Sequence, residues 1–414
     1  MTGPGDGQGK QRRVCMLVRT SVLRNPRVIK QARTLVREGW QVVVVSMGDA
    51  GERKRLEYHP DGFVILRTPL SWRARYRARR TDSDGGGGGG EVYKPGRIRV
   101  ALLLVSRVLI LLRMLPLIHR ARPQVVLAHN VNTLLTGWLG ARLTGASLAY
   151  DAHEVNLDRE GHYQQLRSVI RVIEGCVMPR SDLNMTTTNM RARHFRRVYR
   201  LEQTPRVFEN RPPASSFGAR IELRDRLGLD ADAVVALYQG GLQEGRGLHN
   251  MVRAMARVPG LSLVFLGDGP QQGSLGELAR ELQVQDRVYF AGQIGLDELP
   301  GWTASADFGL QLLRNTSFNH YSTDSNKLFE YGMAGLPVIA SDFPEIRKIV
   351  RSHCFGLLVD PHDVAAVSNA MQRLVDDAEL RRALGEAARQ AAPQLSWEAV
   401  EADYVAQLEE ILKA

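Results

Sequence analysis

The sequence predicts an α/β protein made of two Rossmann-like domains, each a doubly wound parallel sheet. Three features carry that expectation. Short apolar runs alternate with stretches of helical period, and the alternation starts at Val14 and again at Ala233. Between them Arg211-Pro-Pro-Ala-Ser-Ser-Phe217 reads as a linker, because paired prolines suit neither a helix interior nor a central strand. The charge also reverses there. Residues 1–210 carry 36 Lys+Arg against 17 Asp+Glu, and residues 211–414 carry 19 against 27, giving +19 and −8 within the overall +11. With 414 residues, 44% hydrophobic and 24% charged, the chain has the size and composition of two globular domains. We expect domains at 1–210 and 211–395, followed by a terminal helix at 396–414.

Val14 to Val18 is the first apolar run. Five apolar residues before Arg19 are too few for a signal-peptide core, so export is not expected. Arg27 to Glu38 places Val28, Ile29, Ala32, Leu35 and Val36 at helical spacing, Gly39 closes it, and Gln41 to Ser46 is a buried strand. This is the strand-helix-strand unit of a parallel sheet with a right-handed crossover. Its first loop has no glycine. It therefore lacks the GxGxxG turn that admits a dinucleotide pyrophosphate, which argues against a nicotinamide oxidoreductase. The loop's arginines, Arg27 included, could meet an anionic acceptor or stay solvated. Cys15, Cys176 and Cys354 show no CxxC or metal-ligand spacing, which suits a reduced cytoplasmic protein with thiols as small buried hydrophobes.

Residues 71–97 hold Arg73, Arg75, Arg77, Arg79 and Arg80, then six glycines at 85–90, the composition of a flexible surface loop. Val100 to Ile118 is almost wholly apolar. At 100° per residue Arg99, Ser106, Arg107, Arg113 and Arg120 gather within an arc of roughly 140°. Two arginines inside a span would each cost about 2.5–3.5 kcal/mol at a membrane centre, so this is an interfacial or a core helix. Segments 73–80 and 97–122 together are the candidate contact with an anionic membrane surface. Nucleic acid is not expected as a partner, since no zinc-finger, RNP or KH signature accompanies the basic residues.

Gln124 to Ala128 is a strand ending in His129-Asn130, Thr133 to Leu143 is helical, and Ser147 to Tyr150 runs into Asp151-Ala-His153-Glu154. Ligands in such sheets gather at strand C-terminal ends. His129, Asn130, Asp151 and His153 are therefore candidates, against the alternative of histidines satisfied within the fold. Asp182 to Thr187 is a further strand, Met190 to Tyr199 a helix, and Arg206 to Asn210 the last strand of this domain.

In the second domain Ala233 to Tyr238 is a buried strand. The loop Gln239 to Gly247 follows, where Gly240 and Gly241 let backbone amides approach phosphate and Arg246 can fork onto its oxygens. Ser262 to Leu266, Arg287 to Phe290 and Ala306 to Leu312 are the next strands. Asn319, His320, Tyr321 and Asp324 fall in a loop. Asp324 or Ser325 can then cap a helix, leaving the amides near Asn326, Lys327 and Leu328 without intrahelical acceptors, a mouth that attracts anions. Lys327 adds a charge there. Glu330, one turn on, could hold two ribose hydroxyls, or could pair with Lys327 on the surface. Gly335 ends the helix in the left-handed region, Leu336 to Ala340 is a buried strand, and Phe355 to Asp360 with helices from Asp363 completes the domain.

The run NKLFEYGMAGLPVIAS, Asn326 to Ser341, resembles the donor-binding signature of the retaining glycosyltransferases of family 4, the glycosyl transferases group 1. Asp151 to Glu154 and the loop around Gly241 are similar to two further features of that family. The resemblance implies a GT-B fold, two Rossmann-like domains facing a central cleft. It also implies transfer of a sugar from a nucleotide diphosphate sugar to an acceptor hydroxyl with retained anomeric configuration, and no metal or other cofactor. On it, His153, Arg246, Lys327 and Glu330 form the catalytic set. Gly240, Gly241, Asn326, Leu328 and Phe329 face the donor, and the backbone of Gly292, Gln293 and Ile294 meets its base. Arg27, His129, Asn130, Asp151, Asn210 and Asp324 lie toward the sugar or acceptor, and the terminal helix packs back on the first domain.

The chain departs from the family pattern twice. Leu242 follows Gly241 where an arginine is common, and Ser322 stands at the first of two glutamates spaced eight apart. Charge on the leaving diphosphate would then fall to Arg246, Lys327 and the helix amides. The alternatives are a GT-B epimerase or phosphorylase, and a non-catalytic sugar-nucleotide-binding protein. We expect a cytoplasmic protein, which could attach peripherally to the inner face of the membrane.

Overall fold

The computed structural model describes residues 11–47, 55–68, 97–158, 166–214, 220–295 and 297–412. The arginine run at 73–80 and the six glycines lie outside them. The chain forms two compact units, one of residues up to Phe208 with those from Glu401 onward, the other Glu209–Val400.

The first unit contains β1 (Arg13–Val18), β2 (Gln41–Met47), β3 (Leu56–Tyr58), β4 (Val64–Thr68), β5 (Val125–His129), β6 (Ser147–Ala152), β7 (Leu183–Thr186) and β8 (Arg206–Val207). They pair in the order β3-β4-β2-β1-β5-β6-β7-β8, and every pair is parallel except β3 with β4. The order reverses between β1 and β5, so loops leaving those strands diverge and open a crevice. β6 carries Asp151 beside His129 of β5 in register. The hairpin β3-β4 was not foreseen: three residues with alternating exposure carry too little pattern. β8 is shorter than expected because the carbonyl of Phe208 leaves the ladder and accepts from Arg27 Nη1 at 3.0 Å.

Helix α1 (Pro26–Arg37) starts with proline at its first position and Asn25 Oδ1 accepting from the Val28 amide at 3.5 Å. α2 (Arg97–Ala121) continues through Pro116. It packs on α3 (Val131–Thr144), where Gly140 admits Ile118; a Cβ there would meet Ile118 Cδ1 at 2.8 Å. Met114 and Ile118 are buried, whereas Val105, Val108, Leu109 and Leu112 form a stripe on the opposite face that is 40–57% exposed. Among the described residues no helix is long and apolar enough to cross a membrane. α4 (Arg167–Val177) and α5 (Asn189–Tyr199) complete this unit.

In the second unit β9 (Val234–Gln239), β10 (Leu261–Leu266), β11 (Val288–Gly292), β12 (Phe308–Gln311), β13 (Val338–Ser341) and β14 (Gly356–Val359) are all parallel, in the order β11-β10-β9-β12-β13-β14. Here the order reverses between β9 and β12. One face is covered by α7 (Leu248–Met255), α8 (Gln272–Glu281) and α13 (Val364–Asp376), through Met251, Leu275 and Met371. On the other lie α9 (Leu299–Ala304), α11 (Asn326–Met333), α12 (Pro344–His353) and α14 (Ala378–Leu395), through Trp302, Phe329, Ile346 and Leu395. Short helices α6 (Leu223–Leu227) and α10 (Phe318–Tyr321) complete it. The second of these replaces the expected loop: Ser317 Oγ accepts from the His320 amide at 3.2 Å and closes one turn. The last helix, α15 (Glu398–Glu410), runs into the first unit, where Thr34 Oγ1 donates to Glu401 at 2.9 Å and Ser147 Oγ to the Ile411 carbonyl at 2.9 Å. Of the cysteines only Cys15 is a buried hydrophobe, its thiol pushed up to about 12 by burial; Cys176 and Cys354 are exposed thiols, contrary to expectation.

Candidate functional site

Of the sequence candidates in the second unit, Gly240, Arg246, Lys327 and Glu330 meet at its switch point. Gly240 leaves β9 with φ +122°, and a Cβ there would lie 3.0 Å from both Cε and Nζ of Lys327. Glycine thus lets the lysine come against the loop backbone. The ammonium sits 5.0 Å from the ring centroid of Tyr238, whose hydroxyl donates to the Gly241 carbonyl at 3.0 Å. Burial, then the charge of Arg246, push Lys327 down to about 7, with Glu330 acting in the opposite sense. Gln239 Nε2 donates to Glu330 Oε2, and Thr303 Oγ1 donates to Gln239 Oε1 at 2.8 Å, which fixes which end of the amide faces the carboxylate.

The helix mouth differs in detail from expectation. Ser325 occupies the cap position with φ 53°, ψ 125° and makes no side-chain cap. Its own amide donates to Thr323 Oγ1, and its carbonyl accepts the Leu328 amide at 3.1 Å. The mouth is therefore narrowed to the amides of Asn326 and Lys327. A non-glycine residue at positive φ costs about 1–3 kcal/mol and concentrates at functional turns. Leu328 and Phe329 have buried side chains, so a ligand could meet only their backbone. Asn210 Nδ2 donates to Asn326 Oδ1 at 3.0 Å, which joins two candidates. Asp324 and Ser322 are buried. Gly292 ends β11 at φ +72°, its carbonyl accepting from Gly267 at 2.7 Å, with exposed Gln293 beyond it. Gly335 at φ +72° closes α11, the Leu336 amide returning to the Tyr331 carbonyl at 2.9 Å.

In the first unit Arg27, His129, Asn130, Asp151 and His153 form one network. Arg27 forks onto Asp151, Nε to Oδ2 at 2.8 Å and Nη2 to Oδ1 at 2.9 Å, and Gln31, one turn along α1, adds a bond to Oδ2 at 3.1 Å. All three side chains are almost fully buried. Burial alone would raise the Asp151 carboxyl; Arg27, then His153, hold it well below its usual range. Asn130 Nδ2 faces His153 Nδ1 at 3.3 Å, a contact that suits Nδ1 as acceptor with the ring proton on Nε2. That nitrogen lies 3.2 Å from His129 Nδ1 and 3.4 Å from Asp151 Oδ2. Burial pushes His129 down to about 4. His153, with 17% of its side chain exposed, reaches solvent, while Arg27, His129 and Asp151 are buried.

Asn130 has φ 64° and ψ 161°, a region essentially reserved for glycine. His129, Asp151 and His153 have the proximity of metal ligands, their donor atoms lying within 4.8 Å of one another. The Arg27 guanidinium on the same Asp151 oxygen opposes a second cation there, so the set is better suited to hydrogen bonding.

The family model described as Glycosyl transferases group 1 matches residues 219–391, and that described as Glycosyl transferase 4-like domain matches residues 25–211. A GDP-mannose-dependent alpha-(1-6)-phosphatidylinositol monomannoside mannosyltransferase of Mycobacterium tuberculosis is 30% identical over 284 residues, 64% of this chain and 72% of its own length. The chain belongs to the group 1 glycosyltransferases.

Other relatives align over less. The lipopolysaccharide core biosynthesis glycosyltransferase LpsE of Rhizobium meliloti is 33% identical over 40% of this chain and 47% of its own length, so the match spans about half of that relative. A D-inositol 3-phosphate glycosyltransferase of Xylanimonas cellulosilytica is 30% identical over 45% of each chain. Among solved structures, sucrose-phosphate synthase from Thermosynechococcus elongatus has a TM-score of 0.77 at 19% identity, covering 97% of this chain and 100% of its own. Anabaena HepE in complex with UDP has a TM-score of 0.73 at 14% identity with the same coverage. At such identities the likeness is one of fold, and this group 1 glycosyltransferase has the GT-B fold.

Sequence reasoning missed Gln239, Thr303 and Gln31. Gln239 ends a strand beside a glycine-rich loop, a position that could have flagged it. Gln31 had only its place four residues after Arg27.

Proposed function

We propose that this group 1 glycosyltransferase transfers a sugar from a nucleotide diphosphate sugar to an acceptor hydroxyl with retention and without a metal ion. The observation that carries this reading is Lys327, held against Gly240 beside the amides of Asn326 and Lys327 and within the field of Arg246. As the bond to the leaving diphosphate breaks, these groups take up its charge. A donor phosphate oxygen accepts the acceptor proton, so no protein base is needed. Glu330, oriented by Gln239, holds ribose hydroxyls, and His153 meets the sugar. Relatives support such a donor: one is GDP-mannose-dependent, and HepE was solved with UDP-glucose. An epimerase or phosphorylase would give a free sugar epimer or a sugar phosphate instead. Screening nucleotide sugars by thermal shift, then reading the product's anomeric proton by NMR, tests the proposal. Release of nucleoside diphosphate with a glycoside of the donor's own configuration is expected; an inverted product or none would sink it.

Donor binding should depend on pH through Lys327. Its ammonium is lowered to about 7 in the free protein, and a diphosphate beside it raises that value. Binding therefore takes up protons above about pH 7, and affinity falls by up to roughly tenfold per pH unit as pH rises beyond that. Below pH 7 Lys327 is already charged and contributes no slope. Calorimetry of a nucleotide sugar in buffers of different ionisation enthalpy measures the uptake, which should vanish in Lys327→Ala.

Asn130→Gly separates positioning from folding. Glycine adopts φ 64°, ψ 161° without strain, so stability should stay level or rise by about 1 kcal/mol or more. Activity should fall roughly tenfold to a hundredfold, because the His153 ring loses its Nδ1 donor. Unchanged turnover at raised melting temperature would make Asn130 merely structural.

We further propose attachment to an anionic membrane on the cytoplasmic side. The stripe Val105, Val108, Leu109 and Leu112 supports it, set in a half of the chain with a net charge of +19. Replacing the four with serine should abolish flotation with anionic liposomes. Equal flotation of both proteins would contradict it.

A further inference from the structure

Beside the glycine-rich loop of the second unit is a pocket of about 260 Å³ whose lining includes Arg246, His249, Asn250, Arg253, Gln271 and Arg314. Gly240, Gly241, Lys327 and Glu330 do not line it; the pocket uses the far part of the same loop, Gln243 to Gly247, with Arg246 shared between the two. Among the described residues none of its three arginines forms an ion pair with a carboxylate, although Glu244 is also in the lining. This is not the average of the surface. Residues 211–414 carry 27 Asp+Glu against 19 Lys+Arg, so unpaired guanidinium groups gathered in one concavity run against the local excess of carboxylates.

Two hydrogen bonds set the shape. The Arg314 amide donates to the Gly245 carbonyl at 2.8 Å, tying the loop to the segment after β12, and Arg253 Nη1 donates to Asn250 Oδ1 at 3.0 Å. His249 is lowered by burial and then by Arg253 and Arg314, which is the imprint of the cationic field on a neighbour. Three like charges in one hollow repel each other, and each carries a donor fork that fits a tetrahedral oxyanion. The volume lies below the roughly 300 Å³ at which pockets begin to enclose drug-sized ligands. It suits a phosphate with a small organic group and is too small for a nucleoside diphosphate.

We propose that this pocket is a second anion site, taking a phosphomonoester separately from the donor diphosphate. The phosphate could belong to the acceptor or to a free effector, and both present the same group to the arginines.

Calorimetric titration of the full chain with inorganic phosphate and with glucose 6-phosphate, at fixed ionic strength, tests this. One equivalent should bind whether or not UDP or GDP is present at saturation. The double variant Arg253→Ala, Arg314→Ala should lose phosphate affinity tenfold or more and keep nucleotide affinity within twofold. Both side chains are exposed, and the variant's melting temperature verifies that it folds. Phosphate displaced by the nucleotide, or bound equally by the variant, would overturn the proposal. Because the site is read without the donor, phosphate binding in a protein that binds no nucleotide would sink the donor reading and leave this one standing. With a donor sugar present, conversion of glucose 6-phosphate to a heavier glycoside places the phosphate on the acceptor. Its recovery intact with a changed rate of donor hydrolysis marks an effector.

Discussion

Lys327→Ala should lower kcat/KM by about 100-fold or more, the scale of losing one preorganised donor at developing charge. The loss should appear in KM as well as kcat, since the ammonium already faces the diphosphate of the bound donor and gains further as the glycosidic bond breaks. The fold should survive. The neighbours of Lys327, Gly240 and Tyr238, keep their own backbone and hydroxyl bonds without it. Lys327→Arg should not rescue the loss, because the space between Lys327 and Gly240 is already at 3.0 Å for a single added carbon and a planar fork is larger. Steady-state kinetics with the donor that binds best measures both. Near wild-type turnover in the alanine variant would remove Lys327 from the mechanism.

The second large effect is on stability. Asp151→Asn should destabilise the first unit by about 3–5 kcal/mol, because Arg27 is left buried without its counter-charge. Both partners are less than 5% exposed, and two guanidinium bonds go to this one carboxylate. Replacing the pair together, Arg27→Met with Asp151→Leu, should recover part of the stability, since no buried charge is then left alone, while Gln31 Nε2 and the Phe208 carbonyl each lose a partner. Activity should stay low, because His153 loses the carboxylate facing its Nε2. Chemical denaturation of the three proteins beside their turnover separates these effects. A double variant as unstable as the single one would contradict a charge-pairing origin.

Much of the second unit could be read in the sequence because its strands are fully buried, and a parallel strand covered on both faces is a continuous apolar run. Leu261–Leu266 and Val338–Ser341 are such runs, each closed by a turn residue. Lys327 and Glu330 were legible for a different reason: helical spacing puts them one turn apart at a helix start, whatever the rest of the fold does. What could not be read depended on neighbours distant in sequence. Arg27 looked like a loop charge for solvent or an acceptor; only the pairing of β1 with β5 and of β5 with β6 brings it to Asp151. Gln239 holds Glu330 from 91 positions away. The strain at Asn130 and Ser325 has no signature at all in residue type, since neither is glycine. The backbone takes those angles because the hydrogen bonds around it are worth more than the strain costs.

The diphosphate grip proposed at the β9–β12 switch point is tested most directly by comparing nucleoside diphosphate with monophosphate by calorimetry, in the wild type and in Lys327→Ala and Arg246→Ala. The diphosphate should bind about 100-fold tighter than the monophosphate of the same base, and each substitution should remove most of that margin while leaving monophosphate binding unchanged. Equal affinities in the wild type, or a margin untouched by both substitutions, would contradict it.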